Sequence, residues 1–256
     1  MSARVRLGPL CVAIEGASQL GPTLDALRVE AAADFTVTVH EQGALDAPDG
    51  NGFESRADDP LAAAVMPYDA RWPGRGLLAW LTEVVASAAP ARGASVLHAA
   101  ALDTPRGVVG LVGAPGVGKT TLVRARRARA RANNALWVEV AGEGLRAWAL
   151  PFAGDPDASL DAPAAFEISA WVRVEAGWAE TPQRSSRFEW QHPGRATPAM
   201  MRSLIRPRRG AFWSKDAWQL GLRCLTARPV GRLVIGACDD ALRCLDAACE
   251  TAETRP

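Results

Sequence analysis

The chain contains very little lysine. Of its 256 residues 29 are basic, yet only Lys119 and Lys215 are lysines, which leaves 27 arginines. Because this composition replaces lysine wherever arginine serves as well, a lysine that remains marks a position to examine for a specific role. The 28 acidic residues bring the net charge to +1. This near-neutral balance gives no bulk reason to expect nucleic acid or an anionic membrane as partner.

The sequence also lacks long apolar runs and metal-ligand spacing. No stretch of about 18 apolar residues occurs, so no transmembrane helix is expected. The N-terminal segment alternates apolar and polar residues and has no apolar core of a signal peptide. The five cysteines and three histidines form no CxxC pair or local metal signature. These absences predict a cytoplasmic protein with free thiols.

Hydrophobic periodicity predicts two α/β domains, a small one over residues 1–92 and a larger one over 93–256. A loop is expected over 43–59 and a surface excursion over 180–198. Turns at 103–106 and 141–144 predict two antiparallel hairpins. Strands are expected over 5–14, 35–40, 95–102, 107–112, 135–140, 145–150, 168–174 and 230–235. Helices are expected over 20–32, 77–88, 119–131, 197–205, 216–226 and 239–249.

Residues 113–120 read GAPGVGKT and match the phosphate-binding pattern G-x-x-x-x-G-K-[ST] without a mismatch. Its glycines let successive backbone N–H groups point inward at phosphate oxygens. Lys119 is expected to reach the β- and γ-phosphates, and the Thr120 hydroxyl to bind Mg²⁺. The residues predicted to bind ATP and its magnesium ion are Gly113, Ala114, Pro115, Gly116, Val117, Gly118, Lys119, Thr120 and Thr121.

The segments around this loop resemble HPr kinase and its short relatives. The resemblance rests on LHAAAL at 97–102, the loop with its preceding strand, LRAWALPFAGD at 145–155 and RPVGRL at 228–233. It covers about residues 94–250. It implies a P-loop kinase core of the HPr kinase/phosphoenolpyruvate carboxykinase type, preceded by a small N-terminal α/β domain. The activity it implies is transfer of the γ-phosphoryl group of ATP to a serine hydroxyl of a protein, peptide or small molecule.

One departure from that family concerns its catalytic aspartate pair. The matching positions here are Asn133 and Asn134. A carboxylate accepts a proton near neutral pH and a carboxamide does not. The chain is therefore either an active kinase or a pseudokinase that binds nucleotide and regulates or scaffolds a partner. It is open whether the asparagines are natural or were introduced. It is also open whether nearby acids at Glu139, Asp155 or Glu167 compensate for the missing aspartates.

His98 is the last candidate catalytic residue, beside Lys119, Asn133 and Asn134. In the resembled family, a histidine on the corresponding strand lies near the phosphates. Here it is expected to bind phosphate or to orient a base, or else to be a structural histidine at the end of a strand. A P-loop NTPase of another class, such as a GTPase, is the third function considered, and it is disfavoured because no NKxD motif appears and no apolar strand ends in a Walker-B aspartate. The resemblance also leaves a homo-oligomer open.

Overall fold

The protein has a mixed α/β fold in a computed structural model that describes residues 2–15, 28–41, 54–55, 63–68, 75–150, 164–177, 185–205 and 215–251. Within these ranges the strands are β1 Ser2–Leu7, β2 Leu10–Glu15, β3 Phe35–Glu41, β4 Glu54–Ser55, β5 Ala63–Tyr68, β6 Ala94–Leu97, β7 Ala99–Thr104, β8 Gly107–Val112, β9 Ala130–Ala132, β10 Ala135–Ala141, β11 Gly144–Leu150, β12 Phe166–Ala176, β13 Arg187–Gln191 and β14 Val230–Ile235. The α-helices are α1 Arg75–Ala88, α2 Lys119–Ala125, α3 Pro193–Met200, α4 Lys215–Thr226 and α5 Cys238–Thr251.

The first five strands form one sheet in the order β1-β2-β3-β5-β4. β1 and β2 make an antiparallel hairpin, while β3 is parallel to both of its neighbours. The single strand expected over 5–14 is wrong, since Gly8 with φ of 64° and Pro9 turn the chain there. The 35–40 strand and the 77–88 helix are confirmed as β3 and α1.

The remaining strands form a second, mixed sheet in the order β6-β10-β11-β12-β8-β7-β9, with β14 and β13 joined to it at β12. From β7 the path runs through β8, β12, β11 and β10, each step paired. β10 continues from β9 through two residues, and β9 pairs back with β7. β6 pairs with β10, and β14 lies parallel to β12 with β13 on its outer side.

Helices cover both faces of this sheet. Alternate residues of β7, β8 and β12 enter two separate cores, as the two-residue period of a strand requires. On one face, Ala100, Leu111 and Val172 pack with Leu122 of α2 and Leu245 of α5. On the other face, Ala99, Val112 and Trp171 pack with Met200 of α3 and Leu225 of α4. The carboxyl ends of the parallel strands β8, β12 and β14 lie at one edge of this sandwich.

Several expected elements are corrected by tertiary pairing. The strand over 95–102 is two strands, β6 and β7, separated by His98. The helix over 119–131 ends at Ala125, because Ala130–Ala132 pairs with β7 instead. The excursion over 180–198 contains β13 and the start of α3. The helix over 197–205 begins earlier, at Pro193, and gives way to a 3₁₀ turn after Met200.

Other expectations are confirmed or fall outside the described residues. The hairpins β7–β8 and β10–β11, the helices α4 and α5 and the strands β12 and β14 occur where the sequence predicts them. Most of the helix over 20–32 and most of the loop over 43–59 lie outside those residues. Residue 28 forms a bridge with Val5, and β4 falls within the expected loop. β5 has no counterpart among the predicted elements.

Candidate active site

The GAPGVGKT loop connects β8 to α2 at the carboxyl end of the parallel strands. β8 ends at Val112, and Val112 pairs with Arg173 of the neighbouring parallel strand β12. Ala114, Pro115, Gly116 and Thr121 are exposed, whereas Val117, Gly118 and Thr120 are half-buried. The loop thus lies at the carboxyl ends of the parallel strands β8, β12 and β14, where α/β proteins commonly bind ligands.

Glycine is required at Gly113 for two independent reasons. Its φ is 151°, in a region that side chains rarely adopt. A Cβ at this position would lie 2.5 Å from the carbonyl oxygen of Val174, much closer than van der Waals contact allows. Gly116 and Gly118 also have positive φ, 80° and 103°, but a Cβ on Gly116 would meet open space. The loop backbone therefore passes tightly against β12 at its start and projects outward at its tip.

Lys119, the first residue of α2, is folded back into the loop. Its side chain is 6% exposed. The ammonium donates hydrogen bonds to the carbonyl oxygens of Gly113 at 2.8 Å and Ala114 at 3.1 Å. Desolvation by burial lowers the pKa of Lys119 from 10.5 to about 8. No described acidic side chain bonds to this ammonium, so an anion brought to the loop would supply the missing countercharge.

Asn134 lies opposite Ala99, the residue that follows His98, on the strand beside the loop strand. Ala99, which follows His98, pairs with Val112 of β8. On its other side, Ala99 exchanges two backbone hydrogen bonds of 3.1 Å with Asn134. The His98 ring is bonded to the backbone of Asn134, and Lys119 is close enough for its charge to act on that ring. Residues distant in sequence, His98, Lys119 and Asn134, are thereby brought together.

The two asparagines have different environments. Asn134 is the non-glycine residue with positive φ, 106°, among those described. Such a conformation costs free energy and persists only when surrounding contacts hold it, as the Ala99 pair does here. Asn133 is 6% exposed, and its Oδ1 is buried without a hydrogen-bond partner. A buried oxygen of this kind costs about 1–3 kcal/mol when it stays unbonded.

Two of the three acids considered as replacements for the missing aspartates lie far from the loop. Glu139 pairs with Arg146 toward the far end of β10, about 17 Å from Asn134 at the ordinary rise of a strand. Glu167 binds Arg228 near the start of β12, the end of that strand opposite the loop. Asp155 lies outside the described residues. Compensation by Glu139 or Glu167 is therefore not supported.

An acid that the sequence analysis did not single out lies near the loop. Glu175 is at the carboxyl end of β12, one residue past Val174, whose carbonyl touches Gly113. Its carboxylate binds Arg173 and Arg232, each at 2.7 Å. Its one signal in the sequence is that it directly follows the strand expected over 168–174, because the pairing of that strand with the loop strand is not visible there. Here the two arginines already neutralise it.

The described residues contain neither a cluster of three side chains that could hold a metal ion nor a helix long and apolar enough to cross a membrane. A comparison of the sequence with models of known protein families gave no match. A comparison with curated proteins gave none either. The function must therefore be argued from the loop and its neighbours.

Proposed function

We propose that the chain binds ATP with Mg²⁺ at residues 113–121 and transfers the γ-phosphoryl group to a hydroxyl, in the manner of the HPr kinase-like proteins it resembles. The observation that carries this proposal is the buried Lys119 ammonium, held by the carbonyls of Gly113 and Ala114 without an acidic partner. Burying a cation costs free energy unless an anion compensates it. A polyphosphate in the loop supplies that anion.

The neighbouring groups fit a phosphate bound with its metal ion. Gly113, Gly116 and Gly118 have positive φ and carry no side chain that could cover the loop backbone. The Thr120 hydroxyl and the unbonded Asn133 Oδ1 are neutral oxygens of the type that Mg²⁺ accepts. Bound magnesium would neutralise charge that develops on the phosphates. This proposal includes a core of the HPr kinase type, a division into two domains at residue 92 and a cytoplasmic location.

The two lysines make a matched test of binding. We expect saturable binding of ATP with Mg²⁺ in calorimetric titration. Lys119→Met should weaken it by about 10–100-fold, since a hydrogen bond to a charged group contributes about 1.5–3 kcal/mol. Lys215→Met, at an exposed position on α4, should leave it unchanged. No saturable binding, or equal binding by both variants, would overturn the proposal.

The alternative function is a nucleotide-binding module without turnover. It is favoured by one observation, the carboxamides at Asn133 and Asn134 where the resembled family has aspartates. ADP formation by the unaltered chain and by the Asn133→Asp, Asn134→Asp double variant distinguishes the two. Turnover by the double variant alone supports the binding module. Turnover by the unaltered chain supports the kinase.

A further inference from the structure

Transfer of a phosphoryl group to a hydroxyl requires that the hydroxyl proton be accepted by another group. The amides of Asn133 and Asn134 do not accept protons near neutral pH. The nearby carboxylate of Glu175 is engaged by two arginines. Asp103, on β7, binds Arg131 at 2.8 Å. His98, whose ring is bonded to the backbone of Asn134, offers a basic lone pair beside the loop.

The position of His98 is fixed by backbone bonds on several sides. Its N–H donates to the carbonyl oxygen of Ser203 at 2.6 Å. The next residue, Ala99, is held by Val112 on one side and Asn134 on the other. His98 is therefore the neighbour in sequence of Ala99, and Ala99 links β8 to Asn134 through backbone hydrogen bonds. The backbone at this position is therefore held in place beside the loop strand.

The ring of His98 is fixed as well. It donates a hydrogen bond to the backbone of Asn134, so that nitrogen carries the proton and the other nitrogen carries a lone pair. Burial and the charge of Lys119 lower the pKa of His98 below 6.5. Its backbone partners at Ser203 and Asn134 are uncharged, so Lys119 is the charged neighbour that acts on the ring. The lowered pKa favours the neutral form of the ring.

We propose that His98 accepts the proton of the hydroxyl that attacks the γ-phosphorus, an inference that rests on the proposed ATP site. The hydroxyl oxygen forms a bond to the γ-phosphorus, and the bond from that phosphorus to the oxygen bridging it to the β-phosphorus breaks. ADP leaves with that oxygen. The proton passes to the free ring nitrogen of His98 and then to solvent. Water is the acceptor in the absence of an alcohol, so slow ATP hydrolysis follows.

The test compares two histidine-to-asparagine variants. Asparagine at position 98 keeps a side-chain N–H donor but accepts no proton near neutral pH. His192→Asn is the matched control, because His192 is exposed and caps α3 through Gly194, a role asparagine also performs. Histidine ring NMR on the unaltered chain gives the pKa and tautomer of His98, identified by the signal lost in His98→Asn. ATP binding and ATP hydrolysis are measured on all three proteins.

We expect a His98 pKa below 6.5, a single neutral tautomer at pH 7, and ATP affinity within about threefold in all three proteins. Hydrolysis should fall by about 10²–10⁴-fold in His98→Asn alone. Undiminished hydrolysis in that variant, a ring protonated at pH 7, or ATP binding without hydrolysis in the unaltered chain would each overturn the inference. Absence of ATP binding overturns the proposed function too, and the titration reveals it before any rate is measured. If His98→Asn misfolds, the hydrolysis rate of His98→Gln and the histidine ring NMR of the unaltered chain provide the test.

Discussion

At the scale of single residues, the glycines of the loop differ in what a side chain would meet. Gly113→Ala would place a methyl group 2.5 Å from the Val174 carbonyl oxygen, in addition to its strained φ. Gly116→Ala carries the strain of φ 80° alone, since no atom lies within 4 Å. We expect Gly116→Ala to lower the free energy of unfolding by about 1–2 kcal/mol. Gly113→Ala should lower it clearly more and abolish ATP binding. Denaturant unfolding and titration measure both; equal costs would contradict the close approach of β12.

The depressed pKa of Lys119 predicts how ATP affinity changes with pH. Phosphates bind the protonated ammonium, whereas the free chain loses that proton near pH 8. Binding above pH 8 must therefore take up a proton, and the affinity should fall by up to tenfold per pH unit between about pH 8 and 9.5. Burial raises the pKa of the Cys238 thiol near Thr121 above 9.0, so thiol ionisation does not explain a change that begins at pH 8. Lys119→Met should bind weakly with no such slope.

The local pattern of the sequence predicts the loop residues, whereas His98, Asn133 and Asn134 are expected beside the loop only through the family resemblance, for a physical reason. Gly113, Gly116, Gly118 and Lys119 form a contiguous pattern whose conformation is largely local. The approach of His98 to Asn134 depends instead on the long antiparallel pairing of residues 94–104 with 130–141. Likewise, Glu175 lies near the loop only because β12 is parallel to β8. Register between distant strands leaves no spacing signature in one sequence.

At the scale of elements, α2 is unusually short for the helix after such a loop. It has seven residues, too few to be stable alone. The arginine-rich stretch after it has good helix propensity, which explains the longer helix expected from the sequence. Pairing of Ala130–Ala132 with β7 and the Arg131–Asp103 ion pair favour a strand there. Tertiary pairing overrides local propensity at this point.

The stability of α2 should therefore depend on its buried face. Leu122 is fully buried against β7, β8 and α5. We expect Leu122→Ala to cost about 2–5 kcal/mol and to weaken ATP binding, because Lys119 and Thr120 are on the same short helix. Arg243→Ala, on the exposed side of α5 with a long 3.8 Å contact to Asp240, should stay within about 0.5 kcal/mol. Urea unfolding compares the two, and a mild effect of Leu122→Ala would show that the loop holds the helix by itself.

At the scale of the molecule, the two sheets share apolar core. Val5 and Leu7 of the first sheet and Leu81 of α1 belong to the same buried cluster as Trp137 and Leu150 of the second sheet. The sequence predicts that the chain divides near residue 92, from its hydrophobic periodicity and from the start of the family resemblance. It does not predict the shared core. A tryptophan on a strand, such as Trp137, can be buried inside its own domain or against the other domain, and the sequence does not distinguish the two.

Removal of residues 1–92 is the test of this shared core. It would uncover Trp137, now 1% exposed, together with Val96 and Leu150. The exposed apolar face should lower the midpoint of thermal unfolding and make the fragment aggregate or bind a hydrophobic dye. Trp137→Ala in the full chain should cost about 3–5 kcal/mol and unfold the whole molecule in one transition if the core couples both sheets. A fragment of residues 93–256 that is as stable and soluble as the full chain would instead show that the second sheet folds independently, with the first sheet a detachable addition.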